Sequence, residues 1–291
     1  MAESRVLAVR VGPHRPAGFL RRMLGTATQR VAWGVVLLLV AIAILAPLIA
    51  PYDPNRQDLV NTLQTASSHH LLGTDNLGRD LLSRLIYGLR CSLSISTIVA
   101  VGAATFGVPL GVLAGYTRGA LNTLIARLID VGLALPALVL ALGLIAAMGA
   151  GTKSTTIALI AGYSPYLARV TRSVVLRVRQ EDYISSAIVS GVPPWRIAIR
   201  HVAPNMIEAV SVQLTLILAF AVIAEAGLSF VGLGVQPPTS SLGNMLALGA
   251  QYSVDRPLIS IVPGITIAVL VISLLFCGDG VRTSLDPRRR G

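Results

Sequence analysis

The chain has 291 residues, of which 54% are hydrophobic and only 13% are charged, and its formal net charge is +11. Soluble domains carry about 25% charged residues, so this composition and a mean hydropathy of +0.72 exclude an ordinary soluble enzyme and indicate a multi-pass membrane protein. Aromatic residues make up 5% of the chain and no basic, aromatic-studded groove is visible, which argues against nucleic-acid binding.

Six apolar runs close to the ~20 residues that cross a bilayer predict an all-α polytopic protein. They lie at 31–50, 93–115, 128–149, 155–176, 208–229 and 258–278. The fourth run contains Tyr163 and Pro165, which leaves its lower boundary open. The first run follows six arginines and is longer than a signal-peptide core, so we expect an uncleaved anchor.

The basic residues predict the orientation of these spans. Six spans place both termini on one side, and eighteen of the 24 Lys and Arg residues fall in the tails and loops of that side. The positive-inside rule then makes both termini cytoplasmic. The expected organisation is a cytoplasmic tail (1–30), an anchor helix with an extracytoplasmic loop (31–91), a membrane domain (92–280) and a second cytoplasmic tail (281–291).

The segment EDYISSAIVSGVPPWRIAIRHVAPN at 181–205 interrupts the apolar runs on the predicted cytoplasmic side. Glu181 and Asp182 complement the dipole at the start of a helix, and an apolar stripe is expected along one face of it. The stripe comprises Tyr183, Ile184, Ala187 and Ile188. Gly191 and the prolines after it should end this helix.

A second short helix is predicted to start at Pro194 and to end at Pro204-Asn205, before the next span. It carries Trp195 among apolar residues, with Arg196, Arg200 and His201 between them. A short, broken, amphipathic element suits a groove on another protein. The same pattern suits an interfacial helix on lipid headgroups, and the residues alone leave both readings open.

The order of small residues, a glycine and a terminal proline resembles the cytoplasmic loop of ABC importer permeases. That loop usually reads EAA, three residues, then glycine, with a proline before the next span. Ser185-Ser186-Ala187 stands in place of EAA, whereas Gly191 and Pro204 match. The glutamate of the motif is missing, so the resemblance implies the position of the loop and no specific acidic contact.

Five longer stretches narrow the resemblance to the permeases of dipeptide, oligopeptide and nickel importers. They are LAPLIAPYDP at 45–54, HLLGTDNLGRDLLSRLIYGLRCSL at 70–93, ARLIDVGLALPALVLA at 126–141, FVGLGVQPPTSSLGNML at 230–246 and CGDGVRTSLDPRRR at 277–290. The match runs in order over about residues 30–290. The anchor span with its LIAPYDP loop is similar to the second of the two paired permease subunits, the dipeptide-permease C type.

This resemblance implies a type I ABC importer permease fold in a bacterial cell membrane. It implies a second homologous permease, two cytoplasmic ATPases that bind ATP and Mg, and an extracytoplasmic binding protein as partners, with no cofactor on this chain. The substrate would be a dipeptide or oligopeptide, or alternatively nickel or another small ligand. The residues expected to couple the ATPases are Glu181, Asp182, Tyr183, Ala187, Gly191, Trp195, Arg196, Arg200, His201 and Pro204.

The sequence offers little chemistry of its own. GAGTKS at 149–154 is not a phosphate loop, because threonine and not glycine precedes the lysine. His69 and His70 are adjacent in a polar loop, where solvated histidines are more common than metal ligands. Cys91 and Cys277 form no CxxC pair. We therefore expect no metal site and no catalytic residue.

A few residues within the apolar runs are candidates for lining or gating a path. Asp130 and Glu225 are carboxylates in predicted spans, and such groups usually face a bundle interior or a watery cavity. A structural pair with Arg127 is favoured for Asp130, whereas both roles stay open for Glu225. Gly107 and Gly111 belong to a small-residue ladder that allows close helix approach, within the chain or to a partner. A membrane enzyme would need convergent catalytic groups, and Asp130 and Glu225 are predicted near opposite faces.

Overall fold

The computed structural model describes residues 24–285, and this part of the chain is helical. Its α-helices are Ala27–Ile44 (α1), Ala46–Ile49 (α2), Leu81–Tyr116 (α3), Ala120–Ala134 (α4), Ala137–Met148 (α5), Thr152–Arg179 (α6), Asp182–Val189 (α7), Pro194–Ile197 (α8), Ala203–Phe230 (α9), Leu242–Gln251 (α10) and Leu258–Leu285 (α11). A π-helical turn, Ala198–Val202, joins α8 to α9. The only β pairing within 24–285 is an isolated bridge between Thr74 and Asp80.

All six predicted apolar runs fall on helices, which confirms the all-α polytopic class. By length and apolarity, four helical stretches of the described chain can cross a membrane, and the bent pair α4–α5 is a fifth candidate. The remaining run lies in α6. This helix is 28 residues long, or about 42 Å at the rise of an α-helix, but it carries more polar residues than the others.

The run at 128–149 is not one continuous span. α4 and α5 meet at a bend of 88° at Leu135-Pro136, where Pro136 caps α5 and leaves the helical region with ψ of 137°. Proline has no N–H, so it cannot continue the hydrogen-bond ladder of α4. Pro136 thus divides this run into two helices, whereas Pro109 lies inside the single helix α3.

The expected end of the second short helix at Pro204-Asn205 is wrong. The helix runs on from Trp195 to Phe230 as one 36-residue candidate span. In the π-helical turn the Ala203 N–H bonds to Ala198 O, and Pro204 follows in the first turn of α9. The shifted hydrogen-bond register tolerates a residue without an N–H, and Asn205 Nδ2 donates to His201 O at 2.7 Å.

The small-residue ladder of α3 packs against α6 in the same chain. A Cβ atom added at Gly107 would lie 2.6 Å from Ser164 O, and one added at Gly111 would lie 2.5 Å from Ala168 O. No side chain fits at such distances, so glycine is required for this close approach. The sequence left open whether the ladder packs within this chain or against a partner, and the described structure shows the contact within the chain. A role of these glycines in the path stays a prediction.

The segment between α2 and α3 is held by specific ion pairs. Asp75 is buried and contacts Arg79 Nε at 2.7 Å and Arg84 Nε at 3.4 Å. His70 Nδ1 lies 2.9 Å from Asp80 Oδ1, and Asp80 caps α3 by accepting from Ser83 N. His69 is exposed as expected, but His70 is partly buried, because its ring nitrogen has this partner.

Candidate functional site

Helix α7 is closed by a glycine in the left-handed conformation. Gly191 has φ of +77°, and its N–H bonds to Ile188 O at 3.0 Å. The next residue, Val192, bonds through its N–H to Ala187 O at 3.1 Å. These two bonds form a Schellman motif, in which the chain reverses after the helix. The predicted helix end at Gly191 is therefore confirmed.

One side of α7 is anchored in a hydrophobic cluster. Ile184 is 1% exposed and packs in a cluster with Val175 and Val178 of α6, and with Ile197 and Val202 of the α8–π segment. Val108 and Val112 of α3 border the same cluster. The short helix is thus packed on α6 and on the α8–π segment, in a cluster to which α3 and α9 also contribute side chains.

The other side of this region carries large apolar side chains that face outward. They are Tyr183, Ile188, Val189, Trp195 and Ile199, and we call these five residues the coupling surface. Val189 is 89% exposed and Trp195 is 61% exposed. The expected single stripe is therefore wrong in part: Ile184 and Ala187 face the cluster, whereas Tyr183 and Ile188 do not. Exposed apolar side chains that form a patch mark interaction sites, whereas single exposed apolar residues are ordinary.

Charged and aromatic residues surround the coupling surface. The Arg196 guanidinium lies over the Trp195 ring, 5.4 Å from its centroid, and the rings of Tyr183 and His201 are 5.7 Å apart. Partial burial raises the pKa of Tyr183, and the charge of Glu181 adds to this shift. The phenol therefore stays neutral at physiological pH. Glu181, Asp182, Arg200 and Pro204 are exposed.

Arg179, which the sequence did not single out, joins the last turn of α6 to the end of α3. Its Nη1 donates to Gly115 O at 2.6 Å and to Tyr116 O at 3.3 Å, and its guanidinium lies 5.6 Å from the Tyr116 ring centroid. A cation at a helix C-terminus satisfies carbonyls that lack helical partners. No sequence pattern around Arg179 indicates this contact, because its partners are 63 and 64 residues away.

Glu225 lies at the centre of a second polar site, inside the helix bundle. Its side chain is fully buried, and its two oxygens accept hydrogen bonds from Ser92 Oγ at 2.6 Å and from Ser229 Oγ at 2.7 Å. Each serine hydroxyl accepts in turn from the backbone: Leu242 N lies 3.3 Å from Ser92 Oγ, and Val235 N lies 3.0 Å from Ser229 Oγ. Glu225 therefore connects α3 and α9 to both ends of the connection 235–242.

That connection ends where α10 begins, at Leu242. Ser241 and Asn244 form a capping box there, with Ser241 Oγ accepting from Asn244 N. This arrangement satisfies the first N–H groups of a buried helix end. The structure places the Glu225 carboxyl group in hydrogen bonds with Ser92 and Ser229 inside the bundle. Its role in the path stays a prediction.

Asp130 forms an ion pair, but with a different arginine from the one expected. Arg169 Nη2 of α6 lies 2.7 Å from Asp130 Oδ1 of α4, so the partner is Arg169 and not Arg127. Arg127 is close in sequence only, whereas the packing of α4 on α6 brings Arg169 across. Both side chains are substantially exposed, at 45% for Asp130 and 61% for Arg169.

Within residues 24–285, no three His, Cys, Asp or Glu side chains are grouped so that they could hold a metal ion. His70 is engaged with Asp80, and both cysteines are free thiols. The described site therefore offers docking, packing and polar contacts, and no assembled set of metal ligands.

Two family models match the chain. Residues 107–291 match the binding-protein-dependent transport system inner membrane component, and residues 27–66 match the N-terminal TM domain of oligopeptide transport permease C. The chain belongs to the first of these families, the permease subunits of ABC importers. It is thus a membrane-embedded transport subunit and not itself an enzyme, and its family works with ATPases and substrate-binding proteins.

Named relatives cover most of the chain. The di/tripeptide transport system permease protein DppC of Pseudomonas aeruginosa is 40% identical over 87% of this chain and 86% of its own length. The glutathione transport system permease protein GsiD of Pectobacterium atrosepticum is 36% identical over 93% and 90%. A chain of the inward-facing MetNI methionine ABC transporter superposes with a TM-score of 0.60 at 19% identity, covering 71% of this chain and 98% of that one. It supports the type I importer fold.

Proposed function

We propose that this chain moves peptides inward across a bacterial inner membrane, together with a second, homologous permease. The peptide assignment rests on the relatives, several of which are named for di- and tripeptide or dipeptide transport. In this assembly both termini and the coupling surface face the cytoplasm, as the distribution of basic residues favours. An extracytoplasmic binding protein delivers the substrate to the opposite side.

The observation that carries the proposal is the contrast between the buried and the exposed sides of α7 and α8. Ile184 is buried against α6 and the α8–π segment, whereas Val189 and Trp195 are exposed. A groove on an ATPase would cover these apolar groups, as grooves cover the apolar face of a short helix in other complexes. A segment that is packed against the spans on one side and exposed on the other is suited to transmit movement of a partner to the spans.

Movement of α7 and α8 would reach the spans through contacts that the described structure contains. α7 sits directly after α6, and Arg179 at the end of α6 holds the last carbonyls of α3. The α8–π segment continues without interruption into α9. Movement of α7 and α8 by closing ATPases would therefore shift α3, α6 and α9 together. ATP and Mg bind in the ATPases in this scheme, and the chain itself binds no cofactor.

Two exposed valines at different ends of the molecule provide the test. Val189 belongs to the coupling surface and is 89% exposed, whereas Val254 lies in the connection between α10 and α11 and is 94% exposed. In the reconstituted transporter, Val189→Asp should uncouple peptide uptake from ATP hydrolysis and weaken co-purification of the ATPases. Val254→Asp should leave both unchanged. Equal behaviour of the two variants would contradict the coupling role.

The substrate class needs its own measurement, because both permeases and the binding protein contribute to it. A strain whose own peptide transporters are deleted, and which carries this transporter, should take up labelled di- and tripeptides. Uptake should stop when the gene for this chain is removed. Uptake of nickel and not of peptides would replace the peptide assignment with the alternative, while leaving the coupling role intact.

A further inference from the structure

Two adjoining cavities meet at Arg90, near the start of α3. The larger is a groove of about 520 Å³ between α1 and α3, and the smaller, about 290 Å³, lies between α3, the segment 54–55 and residues 239–240. Arg90 and Ser94 line both cavities. We call the combined space the Arg90 cleft.

The polar part of the cleft carries an uncompensated positive charge. Arg90 is exposed, and its guanidinium makes no ion pair or hydrogen bond within residues 24–285. No acidic residue of the described chain lines either cavity, whereas Asn55 and Tyr87, both able to donate, line the smaller one. Arginine presents five N–H donors in a planar fork that matches the oxygens of a phosphate.

Three of the hydroxyl groups in the cleft already donate to backbone carbonyls. Ser94 Oγ donates to Arg90 O at 2.7 Å, Thr97 Oγ1 donates to Leu93 O at 2.8 Å, and Ser240 Oγ donates to Arg84 O at 2.8 Å. An anion in the cleft would rely on the guanidinium, with Asn55, Tyr87 and Thr239 as further donors.

The groove beside Arg90 is mostly apolar. Its walls include Val40, Ala43 and Ile44 of α1, and Leu93 and Ile98 of α3. Ile44 is 68% exposed and Ile98 is 54% exposed, so the groove is open along helices that are apolar enough to lie in a membrane. A cation at the end of a span, next to an open apolar groove, matches the headgroup and acyl chain of a lipid.

We propose that the Arg90 cleft binds an anionic phospholipid, with its phosphate on the Arg90 guanidinium and one acyl chain in the groove between α1 and α3. Charge complementarity selects this occupant: a lipid with net negative charge matches a cleft with one cation and no acid, and an uncharged apolar segment would leave the guanidinium unpaired. The bound lipid would tie α1 to α3. The site does not depend on which substrate the transporter carries.

The test uses the whole transporter in nanodiscs of phosphatidylcholine doped with phosphatidylglycerol. Lipid that stays with the complex after mild delipidation is counted by mass spectrometry. The wild type should retain phosphatidylglycerol in preference to phosphatidylcholine. Arg90→Gln should lower that retention about tenfold, the effect of losing one charge-assisted hydrogen bond. Arg56→Gln is the matched control, because Arg56 is an exposed arginine of the 51–80 segment that lines neither cavity.

Other results would overturn the proposal. Equal retention by the wild type and Arg90→Gln, or an equal loss in Arg56→Gln, would remove the cleft as a lipid site. A peptide with a free C-terminal carboxylate that displaces the lipid, when its amidated form does not, would assign Arg90 to the substrate instead. Loss of the second permease from the Arg90→Gln complex, with lipid unchanged, would make the cleft a subunit contact. Gel filtration of each variant complex shows that the assembly itself is intact.

Discussion

Ser92 Oγ of α3 donates a 2.6 Å hydrogen bond to the carboxyl group of Glu225 in α9, across 133 residues of sequence. The other carboxyl oxygen accepts from Ser229, and both serines hold backbone N–H groups of the connection 235–242. A carboxyl group with two oxygens suits this task, since each oxygen serves one end of the connection. Glu225 therefore fixes the position of the connection on the bundle.

Replacing Glu225 should loosen that connection. In Glu225→Leu, two buried serine hydroxyls lose their acceptor, and each unsatisfied group costs about 1–3 kcal/mol. We expect a lower thermal unfolding midpoint for the purified complex and faster proteolysis near 232–241. Glu225→Gln keeps one acceptor oxygen, so its unfolding midpoint should lie between those of the wild type and Glu225→Leu. A leucine variant as stable and as protease-resistant as the wild type would contradict this role.

The contact between α3 and α6 should be sensitive to a single methyl group at Gly111. A Cβ there would lie 2.5 Å from both Ala168 O and Thr171 Cβ, and overpacking of this kind costs about 1–3 kcal/mol. Gly111→Ala should therefore lower the unfolding midpoint. Gly143→Ala is the control, since nothing lies within 4 Å of an added Cβ in α5. Alanine is the better helix former, so this control should be neutral or slightly stabilising. Equal midpoints for the two variants would show that α6 moves aside.

Gly191 should be needed for its backbone conformation and not for space. Its φ is +77°, yet nothing lies within 4 Å of an added Cβ. A valine there should cost about 1–2 kcal/mol, whereas asparagine tolerates this region better. Gly191→Val should fray the end of α7 and reduce ATP hydrolysis that is coupled to transport, and Gly191→Asn should retain most of it. If asparagine impairs coupling as strongly as valine, a side chain at this position blocks the partner directly.

The pair of Asp130 and Arg169 should respond to charge reversal as a unit. Asp130→Arg and Arg169→Asp each place like charges at the two positions that now form a 2.7 Å ion pair, and both should lower stability. The double reversal should recover most of the loss. Because the pair is exposed, we expect a coupling energy of only about 0.2–1 kcal/mol, obtained from unfolding midpoints of the four proteins. Strict additivity of the two single changes would mean that the pair contributes nothing.

Local patterns predicted much of the fold. Apolar runs located the helices, because a chain in lipid must satisfy its own backbone groups. Gly191 marked a helix end correctly, since its conformation depends on neighbouring residues alone. Pro204 misled the prediction, because a π-helical turn let the helix continue past it. Tyr183 and Ile188 were assigned to the face of Ile184, and the position of α6 left them outside.

Hydrophobicity, charge placement and turn residues act over short stretches of chain, so the sequence was enough to predict a multi-span helical membrane protein with an amphipathic break between spans. Its longer motifs added the resemblance to ABC importer permeases. Which polar groups meet depended on the tertiary structure. Ser92 with Glu225, Arg169 with Asp130, and Arg179 with the end of α3 are contacts between residues 39 to 133 positions apart. Such contacts depend on how whole helices pack, and no periodicity along the chain encodes them.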